Sequence, residues 1–595
     1  MSAANPPAPG VPSGVPSRVP SRVPSGVPSG VPSALERGFG DPWDPGNPLG
    51  FAAVVAADER AEPLPGGEEL LDAHRLNHEF VPAELGGRLT DLGEMAVRLR
   101  TVFRRDGALG LGYGVTSLMA AVNVWVAGDP GQRRRLAGLL LRGGRAAVCF
   151  HELDSGNDLA GQRFRVTGGE PARLRGAKEV INNAGRAEAL VLFARTSPAA
   201  GSRSHSLLLL ERADLRGVRE LPRYGTVGMR GCHLGGLVFD GCAVPPGSLV
   251  GPPGGGMETA LRAFQLTRAA LPSMAVGTLD TQLRTTLRFA LGRRLYRRRV
   301  ADLPQVREVL AAAFADLLAC DALATCACRA PHVLPEQAGV AAAAAKYLVP
   351  RLLAEAADSL ARVLGARFYL REGEHAIFQK HLRDLPALGL GHAGPAACLS
   401  AIVPQLPALA RGARESESAG DDRAAPAALF RFGEPPPPLR PGRLALTSRG
   451  ADGLHAALLP GLAELTRTGS SGEEVPALVN RLRSARRDLL GRCGRLPPRE
   501  RTPLAGDVGF GLAERYALLL AASACVNIWR YGRAGADPFL RDPAWAAAAL
   551  HRIAGRLEGA PAVLPAPLRE RLFAELVARH ETPRSLDLAD RPVAG

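Results

Sequence analysis

The chain has 595 residues, with 73 basic against 58 acidic residues, a formal net charge of +15 and a hydrophobic content of 46%. That length and apolar content suit several domains with packed cores and exclude a disordered or fibrous chain. Only Lys178, Lys346 and Lys380 are lysines, and the clusters Arg133–Arg135 and Arg297–Arg299 carry no interleaved aromatic residues and no reader motif, so nucleic-acid binding is set aside and an anionic ligand with phosphates is the better use for the charge.

Residues 10–33 repeat (G/R)VPS six times. Proline at every fourth position forbids a regular helix, so residues 1–40 are expected to form an extended, disordered tail. The N-terminus has no charged stretch ahead of an apolar core and does not read as a signal peptide. Residues 41–145 read as helical: Leu89, Leu92, Ala96 and Leu99 recur on one face, 118–126 is a more buried helix, and another runs from Gly128 to Leu141. In residues 146–254, short apolar runs at 189–194, 206–210 and 237–239 are separated by Gly, Asn and Asp. These are the strands of a compact antiparallel β domain, a barrel or sandwich. Residues 255–412 return to a helical period and form a bundle, with one long helix over 336–364 kinked at Pro350. Residues 413–442 turn charged and then proline-rich (434–438), and read as a linker. Residues 443–595 add a second bundle, with helices over 454–465, 475–489, 510–530, 543–557 and 568–578. The fold class is α+β and multidomain.

The most apolar run, 517–529, holds Ser523 and Asn527 and is too short for a membrane span. Nine scattered cysteines without a CxxC pair argue against a zinc site or a disulfide framework, and Cys326-Ala-Cys328 has no His at ligand spacing. A reducing cytoplasm is the expected compartment.

The stretch that organises the chain is Val148-Cys-Phe-His-Glu-Leu-Asp-Ser-Gly-Asn-Asp-Leu-Ala-Gly161. A short buried strand ends in His151 and Glu152, and the turn that follows is built from Asp, Ser, Gly and Asn. Such a junction can seat a flat polar ring and its phosphates. Downstream lie Gly176-Ala-Lys-Glu-Val-Ile-Asn-Asn-Ala184, then Gly228-Met-Arg-Gly231 leading to Phe239-Asp240 and Val244-Pro245, and finally Arg383-Asp384 ahead of Gly389-Leu-Gly-His-Ala-Gly394.

As an ordered set over about residues 60–410, these motifs resemble the acyl-CoA dehydrogenase family, flavoproteins with a helix–β–helix core. His151 to Asp158 is similar to the family's Thr-Glu-Pro-x-x-Gly-Ser-Asp. Phe264-Gln-Leu-Thr-Arg268 resembles its segment beside the thioester, and Arg293-Arg-Leu-Tyr296 its flavin-adenine segment. The extra C-terminal helices resemble its longer members. The resemblance implies FAD as cofactor, with Phe150, His151, Val180 and Asn182 lining the isoalloxazine and Gly156 and Asn157 approaching the phosphates. It places Arg293 and Tyr296 at the adenosine end from a neighbouring subunit of a dimer or tetramer, with Gly365 following in order. Asn157, Thr267 and Arg268 fall beside the substrate, an acyl-CoA or acyl-carrier-protein thioester. An electron-transfer partner or oxygen would accept the electrons.

The departures from the family pattern bear on the chemistry. His151, Val180 and Asn182 stand where the family has Thr, an aromatic residue and Thr. Nine residues after Arg383, where the family's catalytic Glu sits, this chain has His392, and the alternative Glu position holds Thr267. A His of ordinary pKa is mostly neutral at pH 7 and can act as the base. The implied reaction is introduction of an α,β double bond, with His392 taking the α-proton. Two other readings stay open: a flavin oxidase or monooxygenase on the same scaffold, and a non-catalytic subunit that binds a thioester or a partner. Glu152 is expected to support the site rather than act in it. Lys178 reads as a flavin contact or a solvated strand-end residue, and His455 and His580 as surface residues.

Overall fold

The computed structural model describes residues 31–391, 393–418, 425–431, 433–468, 474–535, 537–560 and 562–595. Nearly all of the (G/R)VPS repeat, and His392, lie outside them.

Residues 34–141 are largely helical because their apolar residues repeat at helical spacing and the caps are in place. Asp91 accepts from the N–H groups of Gly93 (2.7 Å) and Glu94 (3.3 Å) and starts the helix Leu92–Arg105. Asp129 and Gln132 form a reciprocal capping box that opens Pro130–Leu141. The helix starts at Leu92, so Leu89 precedes it. Between Gly107–Leu109 and Thr116–Ala127 the chain takes a π turn over Gly110–Val115, GLGYGV, a local widening that recurs at functional sites.

Eight strands follow: β1 (Ala146–Cys149), β2 (Arg165–Thr167), β3 (Arg173–Asn182), β4 (Ala189–Arg195), β5 (His205–Glu211), β6 (Val218–Leu221), β7 (Leu234–Ala243) and β8 (Leu249–Val250). Their order is β6-β7-β3-β2-β4-β5-β8, with β1 branching from β4. The sheet is mixed, which corrects the antiparallel expectation. β1 runs parallel to β4, with Ala146 opposite Ala189, and β2 meets β4 in parallel at Arg165 and Arg195. Among the described residues no ladder joins β6 to β8, so the sheet stays open rather than closing into a barrel. Period-two patterning reveals a strand but not the direction of its neighbour.

The helices Gly256–Gly292, Pro304–Val333, Ala338–Leu364 and Ala376–Leu390 form a bundle, and the first two also pack on Leu92–Arg105. Ala338–Leu364 continues through Pro350 as one element. Among the described residues, four helical stretches are long and apolar enough to span a bilayer, including Asp507–Gly532, which corrects the expectation that its 517–529 run is too short. In Gly107–Ala127 and Pro304–Val333 the apolar window is 94% and 89% buried inside the protein, which accounts for that character as bundle core.

The expected linker is packed, not free. Leu406–Ser418 is helical. Arg329 donates to the carbonyls of Ala428 (2.7 Å) and Glu434 (3.0 Å), and the His332 ring meets the Pro437 carbonyl at 2.9 Å. The last residues return to the start of the fold. Fully buried Arg100 donates to Asp587 at 2.9 Å and pairs with Asp321, while the N–H groups of Leu586 and Leu588 donate to Asp280 (2.8 Å) and Asp321 (2.7 Å).

Candidate functional site

β1 ends at Cys149, and Phe150 turns its ring inward, 5.4 Å from the Phe193 centroid and 5.7 Å from that of Phe264. At 1% exposure the ring belongs to the core. His151 is half-buried, with Nδ1 3.3 Å from the Gly156 carbonyl. Burial pushes its pKa down against that hydrogen bond, which keeps the imidazole neutral. Gly156 has φ +51° and open space where a side chain would stand, a backbone geometry that favours glycine.

Glu152 and Lys178 hold this junction from below. Lys178 is fully buried and donates to the Glu152 carboxylate (2.8 Å), the Gln162 amide oxygen (2.7 Å) and the Phe150 carbonyl (3.0 Å). Glu152 also accepts from the N–H groups of Arg163 (2.8 Å) and Phe164 (3.0 Å). Burial would raise the Glu152 carboxyl, but Lys178 and these donors hold it below the usual range, and burial takes Lys178 down to about 8 against the pull of Glu152. Lys178 is therefore neither solvated nor free for a ligand. It fixes the strand end from which His151 projects, the supporting role expected of Glu152.

β3 brings up Val180 and Asn182, both half-buried. Asn182 donates to Thr116 Oγ1 at 2.7 Å, and Asn183 donates to the Gly112 carbonyl at 2.5 Å, so the paired asparagines are docked on the π turn. Asn182 Oδ1 is buried and has no partner among the described residues. A buried acceptor left without a donor costs about 1–3 kcal/mol, so a ligand that donates to it recovers that cost.

The third side of the site is the turn between Ala376–Leu390 and Pro395–Ile402. A methyl group at Gly394 would meet the Asn157 amide at 3.2 Å, so the Asn157 loop of the β region touches this turn. The Cys398 N–H donates to the Gly394 carbonyl at 3.1 Å, and Lys346 Nζ donates to the Leu388 carbonyl. Arg268 lies over the Phe264 ring at 5.5 Å, 8% exposed, with Nε lacking a partner among the described residues. Neither Arg268 nor Lys346 faces a carboxylate among the described residues. Burial lowers both, Lys346 to about 8, and only the Cys398 thiol nearby opposes the shift. Thr267 is buried, and its hydroxyl is spent on the Phe264 carbonyl at 3.3 Å. His392 falls outside the described residues.

Arg293, Tyr296 and Gly365 are not drawn into this cleft. Arg293 and Tyr296 belong to an exposed hairpin, Tyr296 at 94% exposure, and Gly365 ends a helix at φ +59°. His455 is buried at 2% exposure and stacked on Tyr516 at 5.1 Å, and His580 is half-buried, which corrects their reading as surface residues. Arg383 and Asp384 are structural. Arg383 donates to Asp58 (2.6 Å) and to the Val227 carbonyl (2.9 Å), and Asp384 accepts from the Met229 N–H (2.5 Å) and from Lys380 (2.6 Å). A groove of about 530 Å³ beside them is lined by Tyr224, Arg230, Phe368, Tyr369 and Arg383, with Arg371 at its edge paired to Glu59.

Sequence reasoning missed Lys346, Cys398 and the π turn. Lys346 had a signal: it is a lone lysine closing the run Ala341–Ala345 in an arginine-rich chain. The residues present fit the flavin that the resemblance implies. Among the described residues, Asn182 offers an unpaired acceptor, His151 a neutral ring, Gly156 open backbone, and Arg268 a cation that faces no carboxylate.

A family model described as acyl-CoA dehydrogenase, C-terminal domain, matches residues 254–403. The chain is 25% identical over 259 residues to the "Probable acyl-CoA dehydrogenase FadE25" of Mycobacterium tuberculosis, a match covering 43% of this chain and 66% of that relative, just under two thirds of its length. It is 26% identical over 313 residues to a glutaryl-CoA dehydrogenase of Desulfococcus multivorans, covering 51% and 79% of the two chains. Among solved structures, a glutaryl-coenzyme A dehydrogenase with glutaryl-CoA aligns at a TM-score of 0.55 and 22% identity over 62% of this chain and 93% of its own. An acyl-CoA dehydrogenase of Bacillus anthracis complexed with FAD aligns at a TM-score of 0.61 and 16% identity, over 89% of this chain and 88% of its own. The last alignment extends the fold likeness into the C-terminal helices.

Proposed function

Because this chain belongs to the acyl-CoA dehydrogenase family, we propose that it is an FAD-dependent oxidoreductase that introduces an α,β double bond into an acyl thioester, with His392 as the base. The observation that carries this reading is the pair of buried cations, Arg268 and Lys346, that face no carboxylate among the described residues at the turn touched by Asn157. Loss of an α-proton moves negative charge onto the thioester oxygen, and preorganised cations in a water-poor site stabilise such charge far better than they would in water. Thr267 cannot serve as a base, and the cleft side chains described above include no free carboxylate.

Lys346 donates to the Leu388 carbonyl, and the Cys398 N–H donates to the Gly394 carbonyl. Glu152 and Lys178 set the strand end that carries His151, and Asn182 keeps an acceptor available beside it. FAD, when bound, accepts the hydride from Cβ. The exposed Arg293–Tyr296 hairpin is assigned to the cofactor of a second copy of the chain.

The test is anaerobic reduction of the flavin by a panel of acyl thioesters, with His392→Ala and His392→Gln compared at equal flavin content. Reduction should fall by about 10²–10⁴-fold, the contribution typical of a positioned general base. Unchanged reduction would retire His392 as the base.

A further inference from the structure

We propose that the arginine-rich corner formed by residues 483–508 is a docking surface for a small acidic carrier protein that presents the acyl thioester on a flexible arm. This deepens the thioester reading above and rests on it. The corner comprises the second half of the Glu474–Gly494 helix and the loop leading into Asp507–Gly532. Arg483, Arg487, Arg495, Arg499 and Arg501 are exposed and form no ion pair among the described residues, and Arg492 has only Asp488 at 3.9 Å. Elsewhere many of the chain's arginines are committed, as Arg100, Arg104, Arg371, Arg383, Arg552 and Arg556 show. Within the same 26-residue stretch Leu504 is 92% exposed and Val508 51% exposed. The loop that presents them is well tied: Glu500 accepts from the N–H groups of Gly506 (2.9 Å) and Gly509 (3.1 Å), and Arg501 donates to the Leu496 carbonyl (2.7 Å).

Two apolar residues set among unpaired cations complement an acidic surface with a small apolar centre. The stretch contains no aromatic residue, which argues against single-stranded nucleic acid, where stacking carries the affinity. Its position fits delivery of substrate. Glu514 pairs with Arg351 on the Ala338–Leu364 helix. In that same part of the helix, Lys346 holds Leu388, and Pro350 packs so close to Gly389 that a methyl group there would meet it at 3.3 Å. Val508 precedes Glu514 by six residues, about 9 Å along the helix. The corner is thus anchored to the helix segment that braces the cleft, yet stands outside it, and a partner seated there needs an arm to reach in.

The experiment uses the full flavin-loaded chain and two probes, octanoyl-loaded acyl carrier protein and octanoyl-CoA. Binding of the labelled carrier is read by fluorescence anisotropy and turnover by flavin reduction, for the wild type, for the triple variant Arg483→Glu/Arg487→Glu/Arg499→Glu, and for Leu504→Asp. The charge reversal should weaken carrier binding and its kcat/KM by about 10–100-fold, with a matching loss of salt dependence, and leave octanoyl-CoA turnover unchanged. Leu504→Asp should weaken carrier binding alone. Equal carrier binding by wild type and triple variant, or no carrier binding at all, overturns the proposal. So does a triple variant that loses only its pelleting with phosphatidylglycerol vesicles or its shift of a DNA duplex. Carrier binding that is lost on charge reversal while neither thioester reduces flavin keeps the docking surface and sinks the dehydrogenase reading instead.

Discussion

Lys346→Met separates the stability of the fold from the chemistry assigned to the cleft. Lys346 is 2% exposed, and burial, with Arg268 acting in the same direction, takes its pKa from an ordinary 10.5 to about 8. That displacement corresponds to about 3 kcal/mol of penalty for holding the charged ammonium at pH 7. Removing the amine also removes the donor to the Leu388 carbonyl, a loss of about 1–3 kcal/mol. The variant should therefore be as stable as the wild type at pH 7, or more stable by up to about 2 kcal/mol. The sign with pH follows from linkage. With the folded pKa below the unfolded one, the unfolded chain binds more protons between about 8 and 10.5, so this lysine's contribution grows as pH rises through that window. By pH 10.5 the penalty is gone and only the lost hydrogen bond separates the two proteins, so the methionine variant becomes the less stable one. Urea unfolding at about pH 7 and about pH 10, wild type against variant, reads the difference directly. Destabilisation of the same size at both pH values would refute the buried, uncompensated cation. In flavin reduction the same variant should be slower by about tenfold or more, as expected when a preorganised charge is removed from a site where negative charge develops.

Asp587→Asn leaves buried Arg100 with Asp321 alone, and breaking such a buried pair costs about 3–5 kcal/mol. Thermal unfolding should show it, whereas Arg591→Ala, which removes a half-exposed pair with Glu94, should cost about 1 kcal/mol or less. Gly228→Ala would place a methyl group 1.9 Å from the Arg383 carbonyl oxygen. Backbone cannot yield there as a side-chain tip can, so the change should cost more than about 3 kcal/mol and lower soluble yield and denaturant midpoint together.

Much of this was legible in the sequence because it rests on local patterns. The strand runs at 189–194, 206–210 and 237–239 fall within β4, β5 and β7. Direction and partnership were not legible. Nothing in Ala146–Cys149 reveals that it runs parallel to β4, because period-two patterning is the same in either orientation. Lys178 has the pattern of a polar strand end because its partners, Glu152 and Gln162, are brought to it by a turn in three dimensions and not by spacing. His455 has a surface pattern for the same reason: the Tyr516 ring that covers it is 61 residues away in the chain. Phe150 has the pattern of a last strand residue, but β1 ends at Cys149 and the Phe150 ring packs against Phe193 and Phe264 from two other elements. The proline-rich 434–438 stretch has linker composition, but Arg329 and His332 hold its carbonyls on the bundle.

The most direct test of the account is the absorbance spectrum of the protein reconstituted with FAD, followed by anaerobic titration with acyl thioesters. The account predicts bound flavin whose long-wavelength bands bleach with at least one thioester in the wild type and persist in His392→Ala. A protein that fails to retain FAD, or whose flavin stays oxidised with every thioester tried, contradicts it.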